Sequence, residues 1–397
     1  MTDVIVIGAG AAGLMCALAA GQRGRSVLVL EKGPRIGAKI LISGGGRCNF
    51  TNLHAGPENY LSANPDFCKS ALARYCPADF LALVERHRIP WHEKKLGQLF
   101  CDRSSRDIVE MLRRECDEAK VRIETAVEVS AVRRNESDES FEIETSRGTL
   151  TSRRLVIATG GLSLPKLGAT DFAYRIARQF GLNVLSARTG LVPFTFGGGQ
   201  LDICRSLSGI SVPCRVQIES ETSKTALPDF TENLLFTHRG LSGPAMLQIS
   251  SYWQPPAKLR INLFPDGDAR AWLEENRGSG QRLDTLLARR LPERFAIAWT
   301  APLAPLRPIR SYSSAELDAI AGKLEDWTLQ PAGTEGYTTA EVTVGGIDTR
   351  ELHSKTMEAR NVQGLHFIGE AVDVTGWLGG YNFQWAWASG HACGQAV

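Results

Sequence analysis

Val4-Ile5-Val6-Ile7 runs directly into Gly8-x-Gly10-x-x-Gly13, and this junction restricts the chain more than any other feature. Consecutive β-branched residues with no polar neighbour suit a strand buried on both faces of a parallel sheet. Leu14 to Gln22 is helix-forming, Gly24 ends that helix, and Val27-Leu28-Val29-Leu30 gives a second apolar strand that closes on Glu31. The result is a complete β-α-β unit. In such a unit the first glycine makes the tight turn, the second lets backbone approach a pyrophosphate, and the third lets helix and strand pack closely. The helix N-terminus stabilises phosphate charge, and an acid at the end of the second strand accepts ribose hydroxyls. Glu31 is that acid, and it argues against a 2′-phosphate by charge repulsion. The motif by itself leaves FAD and NAD both open.

The 397 residues suggest two or three domains at roughly 150 per domain, and 43 % hydrophobic content suffices for a core in each. Lysine plus arginine total 45 against 43 for aspartate plus glutamate, so no large field draws the chain to nucleic acid or acidic membranes. The nine cysteines form no C-x-x-C pair and no Cys/His run at zinc spacing, which fits a reduced, cytoplasmic protein without a metal site. Val4 to Ala20 is uncharged, yet it is interrupted by glycines and falls short of the ~20 apolar residues of a spanning helix. Only Thr2 and Asp3 separate it from Met1, so no basic signal region precedes it. An unprocessed protein with no membrane partner is expected.

Beyond Glu31-Lys32-Gly33 the sequence reads as a loop through Ser43-Gly44-Gly45-Gly46-Arg47-Cys48-Asn49, followed by Phe50-Thr51-Asn52. Three consecutive glycines cost entropy and suit a place where backbone passes a flat or charged ligand, with Arg47 and Asn49 as donors. Pro65 to Ala119 reads as mostly helical, from Phe80, Leu81, Val84 and Ile108, Met111, Leu112 at three-and-four spacing. Short strands follow at Val121 to Thr125, Ala131 to Arg134 and Phe141 to Thr145, with a hairpin at Arg147-Gly148. Leu155-Val156-Ile157-Ala158 is a buried strand running into Thr159-Gly160-Gly161, and strand carboxyl ends are where an α/β sheet holds its ligand. Alternating segments such as Cys214 to Ile218 and Leu259 to Leu263 fit an antiparallel β domain. Ser313-x-x-Glu316 is a capping box for a helix carrying Leu317, Ile320, Ala321 and Leu324. Leu365 to Ile368 is a last strand, ending in Gly369-Glu370 with Asp373 beyond it. Gly376-x-x-Gly379-Gly380-Tyr381-Asn382 then leads into a helix from Phe383 to Gly394.

SGGGRCNFTN (Ser43 to Asn52), ATGG (Ala158 to Gly161), FTHRGLSGP (Phe236 to Pro244), VTVGG (Val342 to Gly346) and GEAVDVTGWLGGYNFQWAWASG (Gly369 to Gly390) occur in this order behind the glycine motif. With them the whole chain resembles the bacterial three-domain flavoproteins that include the BaiN-like (YhiN-like) NAD(P)/FAD-dependent oxidoreductases and aminoacetone oxidase. The resemblance implies an α/β fold with a Rossmann-type FAD-binding domain of the glutathione-reductase-like class, discontinuous in sequence at 1–190 and 346–397. It implies an inserted antiparallel β domain at 191–264 and 328–345 and a small helical domain at 265–327. FAD is the implied cofactor. Gly8, Gly10 and Gly13 would hold its pyrophosphate, Glu31 its adenosine ribose and Val127 its adenine edge through backbone, with Ala12 and Lys32 also in the implied cofactor set. Ser43, Gly44, Gly45, Gly46, Arg47, Cys48 and Asn49 would run beside the ribityl chain and isoalloxazine, and Lys39 is a further member of the implied cofactor set. Thr159, Gly160, Gly161, Gly369 and Glu370 complete the implied cofactor set, with Asp373 on a ribityl or pyrophosphate oxygen. Gly379, Gly380, Tyr381 and Asn382 would aim N–H groups at flavin N1 and O2, where negative charge collects. Ala169 to Tyr174 and Gly181-Leu182 depart from the family pattern and carry no implied role.

No Ser/His/Asp triad, metal cluster or paired-carboxylate spacing is evident, and a flavin needs from the protein only position and protons. His238 in FTHRGLSGP is the candidate catalytic residue, as substrate orienter or proton carrier, with a purely structural role as the alternative. Ser242-Gly243-Pro244 reads as an N-cap and helix start, and Cys48 as packing against flavin. Trp377, Tyr381, Trp385 and Trp387 read as core. The expected function is hydride transfer between flavin N5 and a small organic substrate, with NAD(P)H an open candidate for transient donor. An amine-type oxidase discharging to oxygen is the alternative, and a flavin sensor without turnover a further one. An RNA-modifying flavoprotein is another, but it calls for a basic face. Net charge +2, with no Lys/Arg-dense tract outside the 303–310 region, gives that reading little support. The expectation is therefore a small-molecule substrate and no nucleic-acid partner, with the oligomeric state left open.

Overall fold

The computed structural model describes residues 2–219 and 227–397. The chain divides into two compact units, Met1–Arg188 with Val342–Val397, and Thr189–Glu341.

The first unit is built on the β-α-β start. β1 (Thr2–Ile7), α1 (Ala11–Gln22) and β2 (Val27–Leu30) form as the apolar runs require. β1 pairs in parallel with β2 on one side and with the strand Gly148–Ile157 on the other. Val4, Ile5, Val6 and all of β2 are buried, as strands covered on both faces must be. Arg122–Glu124 extends the parallel sheet beyond β2, and Leu365–Phe367 extends it beyond Gly148–Ile157. The first half of Gly148–Ile157 pairs instead with Phe141–Thr145, which pairs with Val129–Arg134, in an antiparallel meander. Gly148 makes that hairpin with φ +115°. One strand thus belongs to two kinds of sheet, and its apolar end, Leu155 to Ile157, lies in the parallel part.

The closing helix, Tyr381–Gly394, packs along α1 at glycine contacts. A Cβ on Gly390 would stand 2.5 Å from the Ala12 carbonyl oxygen, and one on Gly394 2.5 Å from that of Cys16. Trp385 and Trp387 are buried core residues; Trp387 stacks on Phe80 at 4.3 Å and donates its indole N–H to the Phe50 carbonyl at 2.8 Å.

Two stretches differ from the sequence reading. The loop after Glu31 contains a helical turn, α2 (Ala38–Ile42), a 3-10 turn at Ser43–Gly46 and a strand at Asn49–Asn52. The Pro65 to Ala119 stretch holds helices at Lys69–Arg74, Pro77–Arg86 and Arg106–Glu118, but also strands at Trp91–Glu93 and Gln98–Cys101. Those strands form because Gln98–Cys101 finds Asn49–Asn52 as an antiparallel partner, a tertiary pairing that overrides local helical spacing.

The second unit holds a mixed-length antiparallel sheet centred on Ser211–Ile218 and Phe230–Thr237. Its helices include Pro244–Ser250, Leu283–Leu287, Glu293–Thr300 and Ser314–Glu325. The capping box forms as read, with the Ser313 hydroxyl accepting from the Glu316 N–H. At Pro244 the cap is Gly243, with φ +90°, while Ser242 ends the preceding strand.

Candidate functional site

The turn after β1 is closed by sterics. Gly8 has φ +107°, and a Cβ there would sit 2.6 Å from the Ala158 carbonyl oxygen; one on Gly13 would sit 1.9 Å from that of Gly8. Gly10 differs, because its Cβ position has no protein atom within 4 Å. It is also the N-cap of α1 and supplies no side-chain cap to that helix. The Glu31 carboxylate folds back over the turn, accepting from the Ala9 N–H at 2.9 Å and the Gly33 N–H at 2.7 Å. Val127 N–H donates to the Glu31 carbonyl at 3.0 Å, which brings the implied adenine-side residue next to the implied ribose-side one. Lys32 pairs with Glu128 at 2.7 Å on the surface.

Across the turn, Thr159, two positions beyond the Gly148–Ile157 strand, has a buried hydroxyl with no hydrogen-bond partner among the described residues, and Gly160 follows at φ +76° with open space at its Cβ position. Gly369 lies close by, its Cβ position 2.9 Å from the Ala12 side chain. An uncapped helix start, an open glycine and an unpartnered buried hydroxyl at one strand end fit an anionic dinucleotide such as FAD. Gly8 to Gly13, Glu31 and Thr159 can hold it.

A second glycine turn follows α2. Gly44, Gly45 and Gly46 all have positive φ, at +57°, +66° and +84°. Gly44 packs against Asn49 and Phe100, whereas Gly45 and Gly46 face open space. The turn is closed by the Cys48 N–H donating to the Ser43 carbonyl at 3.0 Å and the Ser43 hydroxyl donating to that of Ile40 at 2.8 Å. Arg47 is exposed and forms no ion pair among the described residues. Cys48 is buried, and burial drives its thiol far above the usual range; Cys101 beside it is pushed up to about 12 by the same cause. Neither is a thiolate. The Asn49 carboxamide, oriented to satisfy its neighbours, accepts from Gly380 N–H at 3.3 Å and donates to the Thr51 and Leu99 carbonyls.

The polar side chains gather between α2 and the strand ends. Lys39 Nζ donates to Glu370 Oε2 at 2.5 Å and to the Ser163 hydroxyl at 2.6 Å. Glu370 Oε1 accepts from that same hydroxyl at 2.8 Å and from the Thr343 N–H at 2.9 Å. Thr343 Oγ1 accepts from the Leu162 N–H at 2.8 Å. Gly161 is needed here, since its Cβ would stand 2.5 Å from Thr343 Oγ1. Lys39, Gly161 and Glu370, named separately in the sequence, thus meet at one place. Ser163 and Thr343 were not named as site residues, although Ser163 stands two positions after ATGG and Thr343 lies within VTVGG.

The other candidate residues make the following contacts within the protein. The Asp373 carboxylate accepts from the Ala63 N–H at 2.8 Å, and burial raises its pKa above the ordinary carboxylate value. Asn382 clamps Gly376, accepting from its N–H and donating to its carbonyl, both at 2.8 Å. Tyr381 is buried, and its carbonyl accepts from the Tyr60 hydroxyl at 2.9 Å. Gly379 and Gly380 press on Gln98 and Thr51. His238 is an exposed turn residue of the second unit, between Phe230–Thr237 and Gly240–Ser242. No group of three or more metal-ligating side chains occurs among the described residues.

A Rossmann glycine turn with an acid-closed second strand, beside a polar cluster at the strand ends, is the arrangement of a dinucleotide-binding protein of α/β class. The chain belongs to the family described as HI0933-like protein Rossmann domain, which it matches over residues 2–396. It is 54 % identical over 400 residues to the ribosomal RNA dihydrouridine synthase of Escherichia coli, covering 99 % of this chain and 97 % of that one. It is 48 % identical over 401 residues to the protein of the same name in Haemophilus influenzae, covering 100 % and 98 %. A 3-dehydro-bile acid delta(4,6)-reductase of Clostridium scindens is 28 % identical over 425 residues, covering 100 % and 99 %. The protein is an enzyme, a flavin-dependent oxidoreductase with FAD as cofactor.

The same relatives correct two expectations. The two of highest identity are named for ribosomal RNA, which overturns both the small-molecule substrate and the exclusion of nucleic acid. The exclusion of nucleic acid rested on the net charge of +2 and on the lack of a Lys/Arg-dense tract outside 303–310, and neither shows where charges gather in the fold. No helix among the described residues is long and apolar enough to cross a membrane.

Proposed function

We propose that this protein reduces uridine in ribosomal RNA to dihydrouridine. The observation that carries the reading is identity of 54 % and 48 %, over essentially the full length, to two enzymes named for that product. Saturating the uracil C5=C6 bond requires a hydride at one carbon and a proton at the other. FAD, when bound and reduced, supplies the hydride; NAD(P)H is the donor that reduces it. The chain's own residues supply position and proton. Gly8, Gly10 and Gly13 would bind the pyrophosphate and Glu31 the ribose, and the Ser43–Gly46 turn would border the flavin. Lys39, held by Glu370 and Ser163 at 2.5 and 2.6 Å, keeps the proton for the uracil carbon. Cys48 is a poor choice for this task, since it is sealed from solvent. An RNA substrate of the ribosome puts the enzyme in the cytoplasm, in keeping with nine free cysteines.

The test starts with the holoenzyme reduced anaerobically by NADPH or NADH. Adding unmodified, transcribed ribosomal RNA should return the oxidised flavin spectrum. A flavin that stays reduced with RNA, but is reoxidised by a small enone, contradicts the reading.

A further inference from the structure

We infer that a basic face of the first unit, formed around Arg35, Arg47 and Arg106, docks the phosphate backbone of the RNA strand; the inference rests on ribosomal RNA being the substrate. The charges are dispersed in sequence and gathered by the fold. From Lys32 to Pro57 the chain carries Lys32, Arg35, Lys39 and Arg47 and no carboxylate, and from Lys94 to Arg106 it carries Lys94, Lys95, Arg103 and Arg106 against Asp102 alone.

These two stretches are locked together. Asn49–Asn52 pairs with Gln98–Cys101, Cys101 N–H donates to the Arg47 carbonyl at 3.0 Å, and Ser105 N–H donates to that of Gly46 at 2.8 Å. The Ser105 hydroxyl donates to the Leu41 carbonyl at 2.8 Å, tying the second stretch to α2. An open pocket results, lined by Arg35, Leu41, Gly46, Ser104, Ser105 and Arg106.

Part of this charge is paired: Asp107 holds Arg103 at 3.1 Å, Glu128 holds Lys32 at 2.7 Å and Glu370 holds Lys39 at 2.5 Å. Asp102 holds His92 at 2.6 Å, and Glu93 accepts from the Gly97 N–H at 3.1 Å. Arg35, Arg47 and Arg106 are exposed and form no ion pair among the described residues. Guanidinium groups left free in this way suit phosphate, which they bind through paired N–H donors. Large apolar side chains stand exposed on the same two stretches, with Ile42 at 51 %, Leu53 at 43 % and Leu96 at 57 % exposure, and they offer surface for sugars and splayed bases. The basic face also flanks the Ser43–Gly46 turn, so a strand held there runs beside the turn proposed to border the flavin.

The experiment measures binding of the FAD-loaded enzyme to transcribed ribosomal RNA over a range of salt concentrations. Arg35→Gln with Arg106→Gln should lower affinity on the order of tenfold and make the log–log salt dependence shallower by about 1.4, at about 0.7 per phosphate contact on a single strand. FAD content and melting temperature should stay at wild-type values. Arg289→Gln with Arg310→Gln, in the second unit, should bind as wild type does. Wild-type affinity and salt slope in the first variant overturn the inference and leave the proposed reaction standing, as does weakening confined to the second variant. A wild-type enzyme that shows no salt-sensitive RNA binding sinks both.

Discussion

The turns at Gly8–Gly13 and Ser43–Gly46 look alike in sequence and do opposite things. In the first, Gly8 and Gly13 are fixed by packing, with carbonyl oxygens 2.6 and 1.9 Å from where a Cβ would go, and only Gly10 opens outward. In the second, Gly45 and Gly46 meet nothing, and left-handed backbone alone calls for glycine. The first turn is a joint between helix and sheet with one open position. The second is an exposed edge, carrying the cations on its flank and Lys39 just before it. A glycine count does not distinguish them; what surrounds each Cα does.

The largest effect should come from Gly13→Ala, which drives a methyl into the Gly8 carbonyl. Overpacking of this kind costs about 3 kcal/mol or more, and the purified protein should be both destabilised in thermal unfolding and colourless. The sheet beneath that turn has its own pH dependence. His366, on Leu365–Phe367, is buried and its pKa is pulled down to about 4, chiefly by burial. The unfolded chain takes up this proton near 6.5 and the folded one near 4, so stability present at neutral pH is lost as pH falls through that window. The loss approaches about 3 kcal/mol, and His366→Gln should flatten it in urea titrations at pH 7 and 5. Lys39→Met tests the second turn's side: turnover on RNA should fall roughly a hundredfold per bound FAD. Wild-type turnover would remove the proton role. Gly10→Ala should leave the apoprotein within about 0.5 kcal/mol of wild type, since no protein atom is near, yet weaken FAD binding about tenfold by calorimetry. Gly45→Ala should cost only about 1 kcal/mol of stability, from its backbone angle. Equal losses at Gly13 and Gly45 would erase the contrast.

What could be read from the sequence follows the same division. The β-α-β start was legible because every interaction that specifies it is local: Val4 to Glu31 is one continuous stretch. The helix at Ser313 announced itself through its cap for the same reason. Gln98–Cys101 was not legible, because its strand character depends on Asn49–Asn52, far away in the chain. The polar cluster was legible only in pieces. Lys39 and Glu370 are 331 positions apart, and Ser163 and Thr343 carry no signal until the fold joins them. The basic face is dispersed in the same way: the arginines of the first unit that carry no ion pair among the described residues come from two sparse segments interlocked by the Arg47 and Gly46 carbonyls, and neither is a dense run of Lys/Arg. Charge that matters to a partner is a property of a surface, and it is averaged away along a chain.

The central claim is that this flavoenzyme saturates uridine in ribosomal RNA. The most direct measurement incubates the FAD-loaded enzyme and NAD(P)H with transcribed ribosomal RNA, digests the RNA to nucleosides, and weighs them by mass spectrometry. The account predicts a uridine product heavier by two hydrogens that appears with wild type and is much reduced with Lys39→Met. Ribosomal RNA with unchanged uridines, from an enzyme whose flavin the nicotinamide does reduce, would contradict it.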